Sequence, residues 1–221
     1  MTDYVIGLDL GQAQDPAAMA VLHRVWWRKG QRPNVDVAQL WHEIPTLISW
    51  PLGTPYPRIV QDVIETYGLF SNTYARWGVK LVVDAGGPGR PVIDLLKGKR
   101  MFPIGVTITG GESEHIHPDG TLSVPKRDIC AALVVAAQSG DVKVPPQEWA
   151  DEFEKQISTF GYVVTPKKQQ MGYESMDNQV HDDLVLAAAL ALWYSTMKLP
   201  KAFPGQQRGA EIGDTDYNPI G

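Results

Sequence analysis

Three apolar segments of the chain each carry aspartate at or near one end, and this pattern limits the folds that the chain can adopt. The acids are Asp9 within residues 6–11, Asp84 at the end of residues 79–84, and the pair Asp182 and Asp183 before residues 184–193. An isolated carboxylate among apolar neighbours is costly to bury unless a cation or a metal ion lies beside it. We therefore expect the three segments to meet, with their acids in one polar site.

The order of the apolar segments predicts an α/β fold. Strand-like runs at residues 4–10, 17–27 and 35–44 come first and predict three antiparallel strands in a meander. Further strands are expected at residues 79–84, 103–109 and 162–165, and helices at residues 59–67, 91–96, 128–138, 149–160 and 181–198. This order predicts a central mixed β-sheet with helices on both faces.

Length and composition favour one globular domain. The chain has 221 residues, 43% of them hydrophobic and 20% charged, and a net charge of -5. We expect one domain over residues 1–198 and a flexible tail over residues 199–221, where prolines, glycines and charges replace the apolar periodicity. The single cysteine, Cys130, excludes an internal disulfide, and neither a signal peptide nor a membrane-spanning run is visible, so we expect an intracellular protein.

Each acid also has a local structural explanation, which stays open at this stage. Asp9 could instead cap a turn, although this is the less favoured explanation, and Asp84 is explained about equally by an Asx turn or a helix N-cap. Asp182 and Asp183 could simply complement the positive end of a helix. Because consecutive helical residues point about 100° apart, at most one of that pair shares the direction of the apolar face; we favour Asp183 as the inward acid.

Together, the acids favour a site for hard divalent cations. Magnesium and manganese prefer oxygen ligands and keep water or phosphate oxygens in their remaining positions. Two such ions about 3.5 to 4 Å apart activate water on one side of a phosphodiester and stabilise the leaving oxygen on the other. Zinc is less favoured, since the five histidines show no short ligand spacing apart from that of His115 and His117.

Four motifs in this order resemble the nuclease domain of large terminase subunits, the DNA-packaging enzymes of tailed bacteriophages, which belong to the ribonuclease H-like superfamily. The motifs are Gly-Leu-Asp-Leu-Gly-Gln-Ala-Gln-Asp-Pro at residues 7–16, Leu-Val-Val-Asp-Ala-Gly at 81–86, Ser-Val-Pro-Lys-Arg-Asp at 123–128 and His-Asp-Asp-Leu-Val-Leu-Ala at 181–187. The resemblance spans almost all of residues 4–197. It implies a ribonuclease H-like fold and a magnesium- or manganese-dependent endonuclease that cuts concatemeric viral double-stranded DNA.

The resemblance also assigns roles to residues and partners. It implies that Asp9, Asp84 and Asp183 bind metal, and that Asp15 and Asp182 assist a second ion or orient a water. It further implies a portal and a small terminase subunit as partners in the host cell cytoplasm. The ATPase motor of such enzymes is missing, because the chain has no Gly-x-x-x-x-Gly-Lys-Ser/Thr phosphate loop. We expect either an excised nuclease domain or a separately encoded motor.

Basic residues near these motifs are candidates for DNA contacts, with solvated surface charge as the alternative for each. They form three clusters: Lys97, Lys99 and Arg100; Lys126 and Arg127; and Lys167 and Lys168. Lys126 is favoured, because the resemblance places it just before a helix near the site. His181 is a candidate partner of the metal-binding acids or proton shuttle, and equally a polar residue at a helix start.

Two other functions fit parts of the sequence. Residues 7–11 and 84–89 resemble the phosphate loops of sugar kinases and actin-like ATPases, which share the core fold, but those proteins use two such domains and give Asp182 and Asp183 no obvious role. A degenerate nuclease-like domain that only binds a partner is the second alternative. Retention of several acids in order makes this second alternative less favoured.

Overall fold

An eight-stranded mixed sheet lies at the centre of the protein. The structure, a computed structural model, describes residues 2–11, 15–27, 39–165, 170–175 and 181–201. The strands are β1 (Tyr4–Asp9), β2 (Ala17–Trp27), β3 (Gln39–Trp50), β4 (Val79–Asp84), β5 (Ile104–Thr109), β6 (His115–Ile116), β7 (Leu122–Pro125) and β8 (Val142–Lys143). Their order across the sheet is β6-β7-β5-β4-β1-β2-β3-β8.

The sheet is mixed. β1, β2 and β3 form an antiparallel meander, and β4, β5 and β7 continue the sheet parallel to β1. The predicted α/β class and mixed sheet are confirmed.

Helices cover both faces of this sheet. They are α1 (Tyr56–Leu69), which continues into a π-helical turn at Phe70–Tyr74, α2 (Gly89–Gly98), α3 (Lys126–Gln138), α4 (Ala150–Thr159) and α5 (Asp183–Met197). α1 and α2 pack on one face, while α3, α4 and α5 contribute to the core on the other. A separate hairpin is formed by β9 (Phe160–Thr165) and β10 (Gln170–Ser175).

The third strand differs most from its predicted position. It was expected at residues 35–44, with a proline-rich loop from Pro45; the strand instead extends from Gln39 to Trp50, and residues 35–38 lie outside the described part of the chain. Val21 pairs with Thr46 but His23 pairs with Glu43, so two residues of β3 lie opposite one residue of β2. Pro45 falls in this β-bulge, where the missing proline N–H removes no regular ladder bond.

α5 is buried along most of its length and lies against β1. A Cβ atom added at Gly7 would lie 2.0 Å from the carbonyl oxygen of Ala187 and 3.0 Å from the backbone nitrogen of Ala191. Glycine at this position therefore lets the helix backbone touch the strand, and Asp183 lies one helical turn before Ala187. Among the described residues, neither α5 nor any other helix is long and apolar enough to cross a membrane.

A buried polar network fixes the other end of α5. The Arg24 guanidinium donates to Ser195 Oγ at 3.0 Å, to the carbonyl oxygen of Thr2 at 3.1 Å and to that of Pro200 at 2.7 Å. Ser195 Oγ is also 2.8 Å from Nε2 of His42. Leu199 packs against the same core, so the first residues of the proposed tail lie on the domain. The division at residue 198 stays a prediction, and residues 202–221 lie outside the described part of the chain.

The contact at Gly7 predicts a steric effect on stability. Gly7→Ala should lower the free energy of unfolding by at least about 2 kcal/mol, because the added methyl group meets helix backbone that cannot rotate away. Gly68→Ala is the matched control, since nothing lies within 4 Å of a Cβ at that helical position; it should be neutral or stabilising. Urea unfolding of both variants measures the difference. Equal stability of the two variants would contradict the close approach.

Burial of His42 predicts a pH-dependent stability. Burial and the nearby charge of Arg24 lower the pKa of His42 from its ordinary value of 6.5 to about 3. Protonation therefore favours the unfolded chain, and the stabilisation present above pH 6.5 is lost as the pH falls toward 3. Between about pH 7.5 and pH 5, wild type should lose about 2 kcal/mol more than His42→Gln. Parallel urea titrations test this, and identical pH profiles for the two proteins would refute it.

Candidate active site

Strand register places Asp9 and Asp84 side by side. β1 and β4 are parallel, with Leu8 opposite Val83, and each strand ends at the following residue, an aspartate. Val5 and Val82 contribute to the core on the face covered by α5. Because side chains alternate along a strand, Asp9 and Asp84 point to that same face.

α5 adds a third acid from above the sheet. Asp183 is its first residue and is only 5% exposed, whereas Asp182 precedes the helix and is a quarter exposed. Asp183 is therefore the inward member of the pair, as the helix geometry predicted. Its Oδ2 atom is buried and has no hydrogen-bond partner among the residues that the structure describes.

Burial and mutual repulsion disfavour the charged forms of these acids. Burial raises the pKa of Asp9 well above its usual value, and the charges of Asp84, Asp183 and Asp182 raise it further. Burial also raises the pKa of Asp183 to about 7, with Asp182 and Asp15 contributing and His181 opposing. The carboxylates thus share one electrostatic environment in which negative charge is only partly compensated.

Asp84 is the most firmly oriented of the three. Its Oδ1 accepts a hydrogen bond from the backbone N–H of Gly86 at 2.8 Å, which is an Asx turn. Burial raises the pKa of Asp84, and the backbone amides of Gly86 and Ile108 oppose that rise. The Asx turn and the acidic site, two explanations for this residue in the sequence, therefore coexist.

The donor set fits a hard divalent cation. Carboxylate oxygens are the ligands that magnesium and manganese prefer, and the unpartnered Oδ2 of Asp183 is a buried acceptor that lacks a donor. Among the described residues, however, no three His, Cys, Asp or Glu side chains converge closely enough to form a ready-made metal cage. The acids are nevertheless close enough for the charges of Asp84 and Asp183 to act on Asp9.

Two solved structures share this architecture. The large terminase nuclease from the thermophilic phage G20c aligns with a TM-score of 0.54 and 19% sequence identity, covering 88% of this chain and 85% of that one. The nuclease domain of g2p, the large terminase from bacteriophage SPP1, in a structure with bound Mn, aligns with a TM-score of 0.50 and 14% identity, covering 86% and 84%. The chain has the fold of the large-terminase nuclease domains. No protein-family model and no curated protein matches it.

Within this terminase-nuclease fold, the basic residues proposed from the sequence divide into two groups. Lys126 and Arg127 begin α3 at the acidic end of the sheet: Lys126 Nζ lies 3.2 Å from Asp182 Oδ2, and Arg127 Nη2 donates to the Glu112 carbonyl oxygen at 2.6 Å. Lys99 and Arg100 follow α2, whose first residue, Gly89, lies against Asp84. A helix of this length separates them from the acids by about 15 Å, so they are not part of the acidic cluster.

The remaining proposed residues lie at the margin of the acidic cluster. His181 Nδ1 is 3.5 Å from Asp15 Oδ1, and both side chains are more than half exposed. This pair joins the residue before Pro16 to the start of α5, and both residues act electrostatically on Asp183. Lys167 and Lys168, the third basic cluster, lie outside the described residues.

Sequence reasoning did not identify the partners of the proposed residues. The sequence marked Gly86 only as part of a turn after Asp84. Its backbone N–H could have been identified as the partner of Asp84, because the donor of an Asx turn is usually the amide two residues after the aspartate. The pairing of Lys126 with Asp182 joins residues 56 positions apart, and no local pattern reveals it.

The repulsion among the acids predicts an effect on stability. In excess chelator, Asp9→Asn should raise the free energy of unfolding by roughly 0.5 to 2 kcal/mol, because it removes a buried negative charge that faces three others. Thermal unfolding with and without Mn²⁺ measures this: manganese should stabilise wild type and have little effect on the variant.

The control is Asp94→Asn, which neutralises an exposed acid on α2. This change should leave both the stability in chelator and the response to manganese as in wild type. A loss of stability in Asp9→Asn under chelation would contradict uncompensated repulsion at the site.

Proposed function

We propose that the chain is a metal-dependent endonuclease that hydrolyses double-stranded DNA during viral genome packaging. The observation that carries this proposal is the buried Oδ2 of Asp183, which has no partner among the described residues and lies near the buried Asp9 and the partly buried Asp84. It stands in a fold shared with large-terminase nucleases. A buried acceptor without a donor in a cluster of acids calls for a cation. The bound Mn of the SPP1 nuclease domain supports the choice of a divalent metal.

The acids have distinct proposed tasks. Asp9, Asp84 and Asp183 would hold magnesium or manganese, and we propose two ions, with Asp182 and Asp15 assisting the second. When bound, these ions would activate a water nucleophile and neutralise charge on the scissile phosphate. The Gly86 N–H would keep the Asp84 carboxylate in one orientation, and the His181–Asp15 pair would hold the margin of the site.

DNA contacts would come from cations close to the acids. Lys126 and Arg127 are at the acidic end of the sheet and are the favoured phosphate contacts, whereas Lys99 and Arg100 would touch DNA only if the duplex extends along α2. A protein of net charge -5 binds DNA weakly unless positive charge is concentrated in this way.

The packaging context is also a proposal, supported by the fold shared with large-terminase nucleases. We propose concatemeric viral DNA as the substrate, an ATPase motor supplied outside this chain, and a portal and small terminase subunit as partners in the host cytoplasm.

Cleavage of plasmid DNA tests the proposed chemistry. The purified chain should nick or linearise a supercoiled plasmid with Mg²⁺ or Mn²⁺. Asp9→Asn, Asp84→Asn and Asp183→Asn should each lose at least about a hundredfold in rate, because each removes a proposed metal ligand. Asp94→Asn should cut as wild type does.

Three outcomes would contradict the proposal. Full cutting by wild type in excess chelator, or by any of the three ligand variants, would exclude the metal mechanism. Binding of ATP without nuclease activity would favour the actin-like ATPase alternative. Absence of Mn²⁺ binding at millimolar metal would favour an inactive interaction module.

A further inference from the structure

Lys126 forms an ion pair with one of the proposed metal-binding acids. Its Nζ atom lies 3.2 Å from Asp182 Oδ2, and the two side chains are 30% and 25% exposed. Lys126 begins α3 and Asp182 immediately precedes α5, so the pair joins the N-terminal ends of two helices that pack side by side. The carboxylate oxygen that contacts the ammonium group is not free to bind a second cation at the same place.

The same ammonium group acts on the wider acidic cluster. Its positive charge favours the ionised forms of both Asp9 and Asp84 and partly offsets the effect of burial on their pKa values. In the absence of metal, Lys126 therefore supplies part of the positive charge that the acids lack. A metal ion that enters near Asp182 has to overcome repulsion from this charge.

Partial exposure makes Lys126 available to an anion from solvent. An ammonium group has three donors and no fixed geometry, so it can transfer from a carboxylate to a phosphate oxygen with a small side-chain movement. DNA that reaches the acidic end of the sheet brings such phosphates close to Lys126.

We propose that Lys126 is a positioning residue that couples metal binding to DNA binding. Without DNA, its ammonium group holds Asp182 away from the metal site, and only one divalent ion binds. When DNA binds, a backbone phosphate takes the ammonium group, Asp182 is released as a ligand, and the second ion binds. This coupling rests on the proposed function, and by linkage the second ion and DNA strengthen each other's binding by the same factor.

Calorimetric titration with Mn²⁺ tests the coupling. Wild type without DNA should take up one Mn²⁺ ion per chain. Lys126→Met should also bind a second ion, with an affinity roughly tenfold or more above that of wild type for this ion, because a repelling charge is lost. Lys126→Arg, which keeps the charge, should resemble wild type. Lys155→Met is the matched control, since Lys155 also pairs with an acid, Glu152, but its side chain is 60% exposed and its partner is not one of the proposed metal-binding acids.

Addition of DNA completes the calorimetric test. A short duplex with hydrolysis-resistant phosphorothioate linkages should raise the affinity of wild type for the second ion at least roughly tenfold and should have little effect on Lys126→Met. Equal Mn²⁺ number and affinity in wild type and Lys126→Met, or an equal response to DNA, would overturn the coupling alone. Absence of Mn²⁺ binding by wild type, with or without DNA, would overturn the proposed function as well.

The salt dependence of DNA binding distinguishes a phosphate contact by Lys126 from a purely structural role. Loss of a structural role alone would leave this salt dependence unchanged. In chelator, Lys126→Met should bind the duplex more weakly, and the slope of log affinity against log salt should fall in magnitude by about 0.9, the value for one phosphate contact. Asp182→Asn frees the ammonium group and should bind DNA more tightly with an unchanged slope. An unchanged slope in Lys126→Met, or weaker binding by Asp182→Asn, would overturn the exchange.

Discussion

The backbone contact between α5 and β1 determines the rest of the site. A helix normally packs on a sheet through its side chains, but at Gly7 the carbonyl of Ala187 occupies the space that a Cβ would need. This close approach brings the start of the helix down to the strand end, where Asp9 follows Gly7 by two residues. One turn of helix and two residues of strand span similar lengths, about 6 Å and 7 Å, so the same contact brings Asp183 near Asp9.

This geometry has an electrostatic cost that the fold does not remove by itself. Asp9 is 7% exposed and Asp183 is 5% exposed, and the charges of neighbouring acids oppose the ionisation of both. Among the described residues, Lys126, His181 and a few backbone amides compensate this charge only in part. Buried charges are usually paired. If these acids served stability alone, each would be expected to have a more complete set of cations or hydrogen-bond donors. The incomplete compensation supports the proposed binding of a cation at this site.

Much of the fold could be predicted from the sequence, and the failures have physical reasons. The bounds of β2 and β4 match their apolar runs, because a buried strand needs continuous apolar character. β6, β7 and β8 have two to four residues, too few to show any periodicity, and their pairing depends on neighbours distant in sequence. β3 continues through Pro45 only because a bulge in its pairing with β2 tolerates the proline.

The candidate site was predictable to a similar extent. The acids were visible because each interrupts or ends an apolar segment, and helix geometry together with the family resemblance favoured Asp183 over Asp182. The ion pair between Lys126 and Asp182 could not be predicted in the same way. The two residues are distant in sequence, and a lysine at the start of a helix is usually solvated. Lys99 and Arg100 show the opposite failure: they look like Lys126 and Arg127 in sequence, but the length of α2 separates them from the acids.

The two ends of α5 show how this protein treats buried polar groups in two different ways. At the C-terminal end, the Arg24 guanidinium is buried, and it donates to a hydroxyl and two carbonyl oxygens. These are neutral acceptors, and they satisfy the charged group without any ligand. At the N-terminal end, the Asp183 Oδ2 is buried and has no donor among the described residues. The buried cation of Arg24 thus has acceptors within the fold, whereas the buried carboxylate of Asp183 has an oxygen without a donor. This difference supports the proposal that a cation binds at the N-terminal end of α5.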